Sequence, residues 1–197
     1  MVRTSGFNAG DNCVVLGAGP IGLAILLVLK AKKANKIIMS EVATSRAAAA
    51  RDFGADVVVN PLDSGHASGD PVVKAVNDLI GEGADVAFDA SGVQQTLDTA
   101  IASVRPGGTI FNVAIHEKPL SLNLNDLAIL EKKLTGGLCY TREDFEGAAN
   151  LVASNRDEAS KMITAITPLD NIVQGGFLEL VNNKAEHVKI LIEVEKE

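Results

Sequence analysis

The sequence predicts an α/β protein built on a doubly wound, parallel β-sheet of six strands. Three observations lead to this prediction. Apolar runs of strand length alternate with helix-length segments through most of the 197 residues. Several runs are continuously apolar, as expected for parallel strands that are covered on both faces. The segments between them begin and end at residues typical of helix termini, which suits crossover helices.

Six apolar runs are the candidate strands of the sheet. Each has the length of about four to eight residues that is typical of a strand, and most are rich in valine and isoleucine. Strand-helix-strand units with right-handed crossovers then give the strand order 3-2-1-4-5-6. In chain order, the predicted strands are residues 12–17, 36–41, 56–60, 84–90, 108–115 and 133–138.

The helices between these strands carry recognisable start and stop signals. Proline suits the first helical position, glycine suits the position just past the end, and Asp or Thr suits the N-cap. In chain order, we predict a first helix over about 20–33 from Pro20, a second over 44–53 before Gly54, a third from Asp70-Pro71, a fourth over 93–104 and a sixth from Thr141 with Asp144 as a capping box.

Two segments do not fit this double winding. Leu120, Leu122 and Leu124 alternate with polar residues, which predicts an exposed or partner-facing strand between the fifth and sixth strands. Past residue 155, a short strand, a helix and a last strand form an appendage with no further crossover. We therefore predict a nucleotide-binding domain over residues 1–155 and a C-terminal tail over 156–197.

The composition limits the classes of partner and compartment. A formal net charge of -7 disfavours nucleic acids and anionic membrane surfaces, which need a basic footprint. The most apolar stretch, residues 14–29, contains three glycines and a proline and is shorter than the about 20 residues of a membrane span. Two cysteines and no secretory pattern suit a reducing compartment, so we expect a cytoplasmic protein.

A glycine-rich motif, GAGPIG, follows the first predicted strand and opens the first helix. Gly17 permits the tight turn, Gly19 lets the backbone approach a pyrophosphate, and Gly22 lets the helix pack closely on the strands. Pro20 and Ile21 begin the helix, whose free N–H groups and positive dipole end face the phosphates. The motif predicts a dinucleotide-binding Rossmann fold, and a glycine turn without a ligand is the alternative.

An acidic residue at the end of the second predicted strand completes this pattern. Glu41 stands 19 positions after Gly22, where a carboxylate can accept the hydroxyl groups of an adenosine ribose. The same charge would repel a 2′-phosphate, which favours NAD over NADP. Arg46 complicates this prediction, because its guanidinium could hold a 2′-phosphate, stack on adenine or pair with Glu41.

Short turns after the fourth, fifth and sixth strands should reach the same edge of the sheet. The first of these turns is predicted to flank the adenosine and the other two to flank the nicotinamide. The alternative is that they are small residues at strand ends with no ligand. The residues are Ser91 and Gly92; Val113, Ala114 and Ile115; and Leu138, Cys139 and Tyr140.

The sequence does not supply the other groups that alcohol oxidation needs, namely a proton acceptor and a group that polarises the oxygen. Tyr140 is the only tyrosine, and Asp144 rather than lysine stands four residues later, so a Tyr-Lys pair is absent. The three histidines, His66, His116 and His187, are scattered and lack the spacing of a zinc site.

Two further interpretations concern single side chains in these segments. We interpret His116 as a solvated loop residue beside Glu117, although it could stand at the edge of the cleft. The cysteines, Cys13 and Cys139, fall on different predicted strands, and we expect both to be buried core thiols.

Four stretches of the sequence resemble the zinc-dependent medium-chain dehydrogenases/reductases, and among these the 2,3-butanediol dehydrogenases, with sorbitol and threonine dehydrogenases nearby. The resemblance covers essentially all of this chain but only the C-terminal part of the family's chain. The stretches are GDNCVVLGAGPIGLAILLVLKAKKANKIIMSE, ADVAFDASGVQQTLDTAIASVRPGGTIFNVA, KLTGGLCYTREDF and GGFLELVNNKAEHVKILIEV.

The resemblance implies a division of roles. The family's N-terminal domain supplies a catalytic zinc, which has no counterpart here, and residues 156–197 correspond to the tail that returns to that domain. Gly17 to Gly22 would hold the pyrophosphate, Glu41 the ribose and Arg46 the adenine side. The family's dimers pair the edges of their nucleotide domains, which implies a homodimer through residues 120–124.

These observations leave three hypotheses. The first is the NAD-binding part of a zinc-dependent alcohol or diol dehydrogenase, a truncated chain that binds the cofactor without turning over a secondary alcohol. The second is a non-catalytic NAD-sensing or assembly module, marked by a paired final strand and a well-buried tail. The third is a zinc-independent, quinone reductase-like enzyme that uses NADPH, which the Glu41 carboxylate disfavours.

Overall fold

The computed structural model describes residues 1–63 and 69–194. It confirms the predicted sheet, in which six parallel strands follow the order β3-β2-β1-β4-β5-β6. Five of the strands begin and end within two residues of the predicted positions, whereas the fifth begins four residues and ends three residues before its predicted bounds. They are β1 Asn12–Leu16, β2 Lys36–Ser40, β3 Val57–Val59, β4 Ala84–Asp89, β5 Val104–Asn112 and β6 Lys133–Gly136.

The helices between these strands lie on both sides of the sheet, and three more helices follow the sixth strand. Pro20 opens α1, the Asp70 side chain caps α3 at the N–H of Val72, and Thr141 and Asp144 form the predicted capping box of α6. None of the described helices is long and apolar enough to cross a membrane. They are α1 Pro20–Ala31, α2 Thr44–Asp52, α3 Pro71–Leu79, α4 Gln94–Ser103, α5 Asn125–Ala128, α6 Arg142–Ser154, α7 Arg156–Ser160 and α8 Glu179–Asn182.

Two apolar cores lie on opposite faces of the sheet. Along β1, Cys13 and Val15 belong to one core, with α1, and Val14 and Leu16 belong to the other, with α3 and α4. Successive residues of a strand point to opposite faces, so a fully buried parallel strand must be apolar at every position. The continuous apolar runs in the sequence therefore predicted the two-sided burial of the central strands correctly.

The predicted strand at Leu120, Leu122 and Leu124 is wrong. In the described part of the chain, these residues form an irregular segment before α5 and pair with no strand. Leu120 and Leu122 instead pack on the core that contains α4, and Leu124 remains exposed. The alternation reflects packing against one face of the domain and not a β-ladder.

The last part of the chain forms the predicted strand-helix-strand unit. Strands β7 Ile163–Pro168 and β8 Lys189–Glu193 pair in parallel as a separate two-stranded sheet. The predicted helix between them is a 3₁₀ turn, a π-helix over Ile172–Leu178 and the short α8. Val188 enters the core of α1, so this unit touches the main domain, but most of its apolar side chains are exposed.

Candidate functional site

The carboxyl ends of five strands form a row along one edge of the sheet. In the strand register, Leu16 of β1 stands opposite Ser40 of β2 and Asp89 of β4. Asp89 in turn stands opposite Asn112 of β5, which is opposite Gly136 of β6. The predicted site residues lie in the turns that follow these strands or in the first turn of the helix that comes next. The register therefore brings the predicted residues to one edge, where open parallel sheets bind their ligands.

The glycine turn has the close contacts that its motif predicts. Gly17 has a φ of 101°, a left-handed conformation that strongly favours glycine. A Cβ added at Gly22 would lie 1.8 Å from the carbonyl oxygen of Gly17. A Cβ added at Gly19 would meet nothing within 4 Å. The first and third glycines are thus required by the protein's own packing, whereas the second faces open space.

The start of α1 leaves backbone donors at this open space. Gly19 is the N-cap and supplies no capping side chain, and Pro20 occupies the first helical position. The first N–H groups of a helix have no partner within the helix, and its dipole is positive at this end. Ile21 is exposed beside them. The turn therefore fits a pyrophosphate, because it offers donors, a favourable field and room for the phosphate oxygens.

Glu41 is tied directly to the glycine turn. Its Oε2 accepts a hydrogen bond from the backbone N–H of Ala18 at 2.8 Å. Its Oε1 accepts bonds from the backbone N–H groups of Val42 and Ala43, each at 2.9 Å, and from Arg46 Nη2 at 2.9 Å. The residue is 5% exposed. A buried carboxylate with these partners fixes the distance between the turn after β1 and the end of β2.

Two opposing effects act on the pKa of Glu41. Burial alone would raise the pKa, since it disfavours the charged form, but the hydrogen bonds from Arg46, Ala43 and Ala18 and the charge of Arg46 outweigh it. The pKa of Glu41 is therefore lowered below its ordinary value. The carboxylate stays ionised at neutral pH and keeps its acceptor oxygens beside the turn.

Arg46 pairs with Glu41, which was one of the roles that the sequence left open. Its Nη1 also donates to the carbonyl oxygen of Lys184 at 3.4 Å, and the neighbouring Ser45 hydroxyl donates to the carbonyl oxygen of Ala185. The loop before β8 thus covers the start of α2. The side chain of Arg46 is 22% exposed, so the guanidinium is held between the carboxylate and this loop.

The turn after β4 is organised by a buried carboxylate. Asp89 is fully buried, and its Oδ1 accepts hydrogen bonds from the backbone N–H groups of Ser91 and Gly92, both at 3.0 Å. Its Oδ2 has no hydrogen-bond partner among the residues that the structure describes. A Cβ at Gly17 would lie 3.4 Å from Ser91 Cβ, so this turn adjoins the glycine turn.

The segment after β5 packs against the turn after β4. The N–H groups of Val113 and Ala114 donate to the carbonyl oxygen of Asp89 at 3.0 and 3.1 Å. Val113 points its side chain into the core, whereas Ile115 is 77% exposed. The Val113 side chain is therefore a core residue at the edge of the site, and the exposed side chain of this segment is that of Ile115.

His116 joins these two turns, so its interpretation as a solvated loop residue is wrong. Its ring is partly buried, with Nδ1 at 3.1 Å from the carbonyl oxygen of Gly92 and Nε2 at 3.0 Å from Asn112 Oδ1. No sequence pattern indicates this role, because Gly92 lies 24 residues away along the chain. Only the pairing of β4 with β5 brings the partners of His116 together.

The third predicted segment lies beyond the end of β6 and is open to solvent. Leu138 and Tyr140 are 61% and 72% exposed, and the Tyr140 ring packs near Phe145 of α6 with a centroid distance of 6.0 Å. Cys139 is exposed, so the prediction of a buried thiol is wrong for this cysteine. Cys13 is buried as expected, and burial raises the pKa of its thiol.

A metal site fits the described residues less well than a dinucleotide site. Within residues 1–63 and 69–194, no group of three or more His, Cys, Asp or Glu side chains could hold a metal ion. His66 lies outside the described residues. His187 contacts Glu179 and Thr164 in the tail, and His116 contacts Gly92 and Asn112. We therefore derive no chemical step through zinc from these residues.

Comparison with known proteins points to a single family. Residues 20–154 match the family described as zinc-binding dehydrogenase. The chain is 35% identical over 200 residues to (R,R)-butanediol dehydrogenase of Saccharomyces cerevisiae, and 35% identical over 191 residues to (R,R)-butanediol dehydrogenase of Bacillus subtilis. The crystal structure of 2R,3R-butanediol dehydrogenase from Bacillus subtilis superposes with a TM-score of 0.87 at 33% identity.

These similarities cover the chain almost completely and its relatives only in part. The yeast and Bacillus matches each cover 97% of this chain, but 50% and 53% of the relatives. The crystal structure is matched over 98% of this chain and 53% of its own. The chain spans about half the length of the proteins that it resembles.

Proposed function

The chain belongs to the zinc-binding dehydrogenase family, as its motifs indicated, and we propose that it holds NAD as the nucleotide-binding part of an alcohol or diol dehydrogenase. The observation that supports this most strongly is the bond from the Ala18 N–H to Glu41 Oε2, which joins the glycine turn to the acidic strand end. Together they form a phosphate seat and a ribose acceptor at one edge of the sheet.

The bound dinucleotide would supply the chemistry, since its nicotinamide ring accepts or gives a hydride. The chain's own residues would bind and orient it. The α1 N-terminus would hold the pyrophosphate, Glu41 the adenosine ribose and Arg46 the adenine side, with Ser91 and Gly92 beside the adenosine. The nicotinamide side would be formed by residues 113–115 and 138–140.

The substrate proposal rests on the relatives. Two of them are named (R,R)-butanediol dehydrogenase, so we propose a secondary alcohol or diol as the substrate class of the complete catalytic unit. In this proposal the zinc chemistry belongs to the part of the relatives that this chain does not span. The chain alone then binds the dinucleotide without turnover, and residues 156–197 are the tail that packs on the catalytic part.

We favour NAD over NADP because of the charges around the ribose position. The Glu41 carboxylate would accept a hydrogen bond from a ribose hydroxyl at Oε2, and its negative charge would repel a 2′-phosphate. Arg46 already donates to Glu41, which makes its Nη2 less available to a phosphate. An NADPH-dependent, quinone reductase-like function is disfavoured by the same arrangement.

The test is a calorimetric titration of the chain with NADH and, separately, with NADPH. We expect NADH to bind at least about tenfold more tightly than NADPH, and Glu41→Ala to reduce this preference to about threefold or less by removing the repulsion. Equal affinities for the native chain would contradict the NAD preference. Failure of both nucleotides to bind would contradict the proposed function.

A non-catalytic NAD-sensing or assembly module is the second candidate. The pairing of β8 with β7 favours it, since a complete module should pair its last strand. The exposure of Ile166, Val173, Phe177 and Val181 favours the dehydrogenase instead, because apolar side chains of a tail that packs on another domain stay open without it. Hydrogen exchange tests the difference, and strong protection throughout residues 156–194 would favour the module.

Self-association and location complete the proposal. A homodimer through the segment of residues 120–124 and the adjoining edge of the sheet is supported by the exposure of Leu124, Ile129 and Leu134. Sedimentation of the native chain and of Leu124→Glu tests the homodimer, and a monomeric native chain would contradict it.

The cytoplasmic location remains a prediction from the cysteine content.

A further inference from the structure

We infer that His116 is a positioning residue for the dinucleotide, because it sets the spacing between two turns that wall the proposed cofactor cleft. This inference rests on the proposed function and adds a residue that neither the motif nor the family match assigns. Its side chain spans from the turn after β4 to the end of β5. Each of those segments continues into residues proposed to touch the cofactor.

The first contact holds the turn after β4. The carbonyl oxygen of Gly92, 3.1 Å from His116 Nδ1, can only accept a hydrogen bond, and the same is true of Asn112 Oδ1 beside Nε2. The one N–H of a neutral imidazole can therefore be donated to either oxygen but not to both. Gly92 is itself fixed from the other side, since its N–H donates to the buried Asp89 carboxylate. His116 thus completes the anchoring of a turn that is also held by Asp89 at the end of β4.

The second contact holds the end of β5. His116 Nε2 lies 3.0 Å from Asn112 Oδ1, and Asn112 Nδ2 donates to the carbonyl oxygen of Ala114 at 3.1 Å. The Asn112 amide therefore links the imidazole to the backbone of the 113–115 segment. A shift of the ring would displace this segment relative to β5.

The two turns are already in close contact, so small changes in their spacing have consequences. A Cβ added at Gly92 would lie 2.8 Å from Ala114 Cβ and 3.5 Å from His116 Nδ1. Gly92 also has a φ of 79°, which favours glycine. A side chain at Gly92 would therefore push the two turns apart, and the His116 ring adds its contacts to the backbone hydrogen bonds from Val113 and Ala114 to Asp89 that hold the turns together.

Charged neighbours do not explain the position of the ring. Asp89 begins the turn, and Glu117 and Lys118 follow His116 in the chain. Within the described residues, none of these three forms a hydrogen bond with the imidazole. The contacts that fix His116 are those with Gly92 and Asn112. Substitutions of His116 can therefore remove one of these two contacts and keep the other.

Three variants and one control test the inference. His116→Asn keeps a donor near the Nδ1 position, His116→Gln keeps an amide near the Nε2 position, and His116→Leu removes both. Glu117→Gln alters the exposed neighbour and is the matched control. NADH and ADP are titrated into each protein by calorimetry, which gives both a dissociation constant and the fraction of binding-competent protein.

We expect NADH affinity to fall about tenfold in His116→Leu, which keeps neither polar contact of the ring, and about threefold in each amide variant, which keeps one of them. The control should match the native chain. ADP affinity should fall less than NADH affinity, because ADP reaches the turn of Ser91 and Gly92 but not residues 113–115.

Two results would overturn the inference. Unchanged NADH affinity in His116→Leu would show that the ring does not position the cofactor. A reduced fraction of competent protein with an unchanged dissociation constant would show a purely structural role. If the native chain binds neither NADH nor ADP, the proposed function fails instead, so the two failures are distinguishable.

Discussion

The Glu41 carboxylate accepts a hydrogen bond from the backbone N–H of Ala18 at 2.8 Å, and so joins the end of β2 to the glycine turn after β1. This contact joins the proposed phosphate seat and the proposed ribose acceptor into a single unit. A change in the position of either element should therefore shift the other.

Gly19 and Gly22 form a matched pair for testing the phosphate seat. Gly22→Ala would place a Cβ 1.8 Å from the Gly17 carbonyl oxygen, so we expect a loss of at least about 2 kcal/mol in the free energy of unfolding. Gly19→Ala meets open space at an ordinary φ of -72°, so stability should change by less than about 1 kcal/mol.

The same two variants should separate folding from binding. We expect Gly19→Ala to lose NADH affinity by at least about tenfold while it remains folded, because its methyl group occupies the position of the pyrophosphate. Denaturant unfolding and calorimetric titration measure the two effects. A folded Gly19→Ala protein that binds NADH as tightly as the native chain would place the ligand elsewhere.

The lowered pKa of Glu41 predicts a specific dependence of stability on pH. Because the pKa is lower in the folded than in the unfolded chain, the stabilisation is present above the unfolded value of about 4.3 and is lost as the pH falls through the folded pKa. Unfolding curves of the native chain and Glu41→Gln should therefore converge on acidification below about pH 4. A constant difference between them from pH 7 to pH 3 would contradict this assignment.

The two cysteines should differ in reactivity toward a thiol reagent. Cys139 is exposed, whereas Cys13 is buried and its thiol has a raised pKa. Cys139 should therefore react rapidly and Cys13 only on unfolding. Cys139→Ala should remove the rapid phase and Cys13→Ala should not. Two rapid phases in the native chain would contradict the burial of Cys13.

Labelling of Cys139 also reports on the proposed nicotinamide side. If residues 138–140 flank the nicotinamide, saturating NADH should slow the rapid phase by at least about fivefold, since a bound ligand excludes the reagent. ADP, which lacks the nicotinamide, should have little effect. Equal labelling rates with and without saturating NADH would remove Cys139 and its neighbours from the site.

The fold was largely predictable because its main requirements are local. A parallel sheet covered on both faces demands continuously apolar strands, and a tight strand-to-helix turn demands Gly17 and Gly22. These demands appear as patterns within a few residues of one another. The strand order followed from the crossover rule and not from any single residue.

The errors arose where tertiary contacts decide the outcome. Leu120 and Leu122 alternate like a strand but pack on the domain as an irregular segment, since alternation does not reveal whether a pairing partner exists. Cys139 follows β6 closely, but β6 is an edge strand with exposed residues, so its end is not covered. The role of His116 depends on Gly92 and Asn112, which only the assembled sheet brings to it.

Hydrogen–deuterium exchange of the native chain with and without saturating NADH tests the central claim most directly. If the glycine turn and Glu41 form the dinucleotide seat, NADH should slow exchange most strongly in peptides that cover residues 17–23 and 41–46. Peptides of α3, on the opposite face of the sheet, should be unaffected. Absence of any NADH effect at residues 17–23, or protection confined to another part of the chain, would contradict the account.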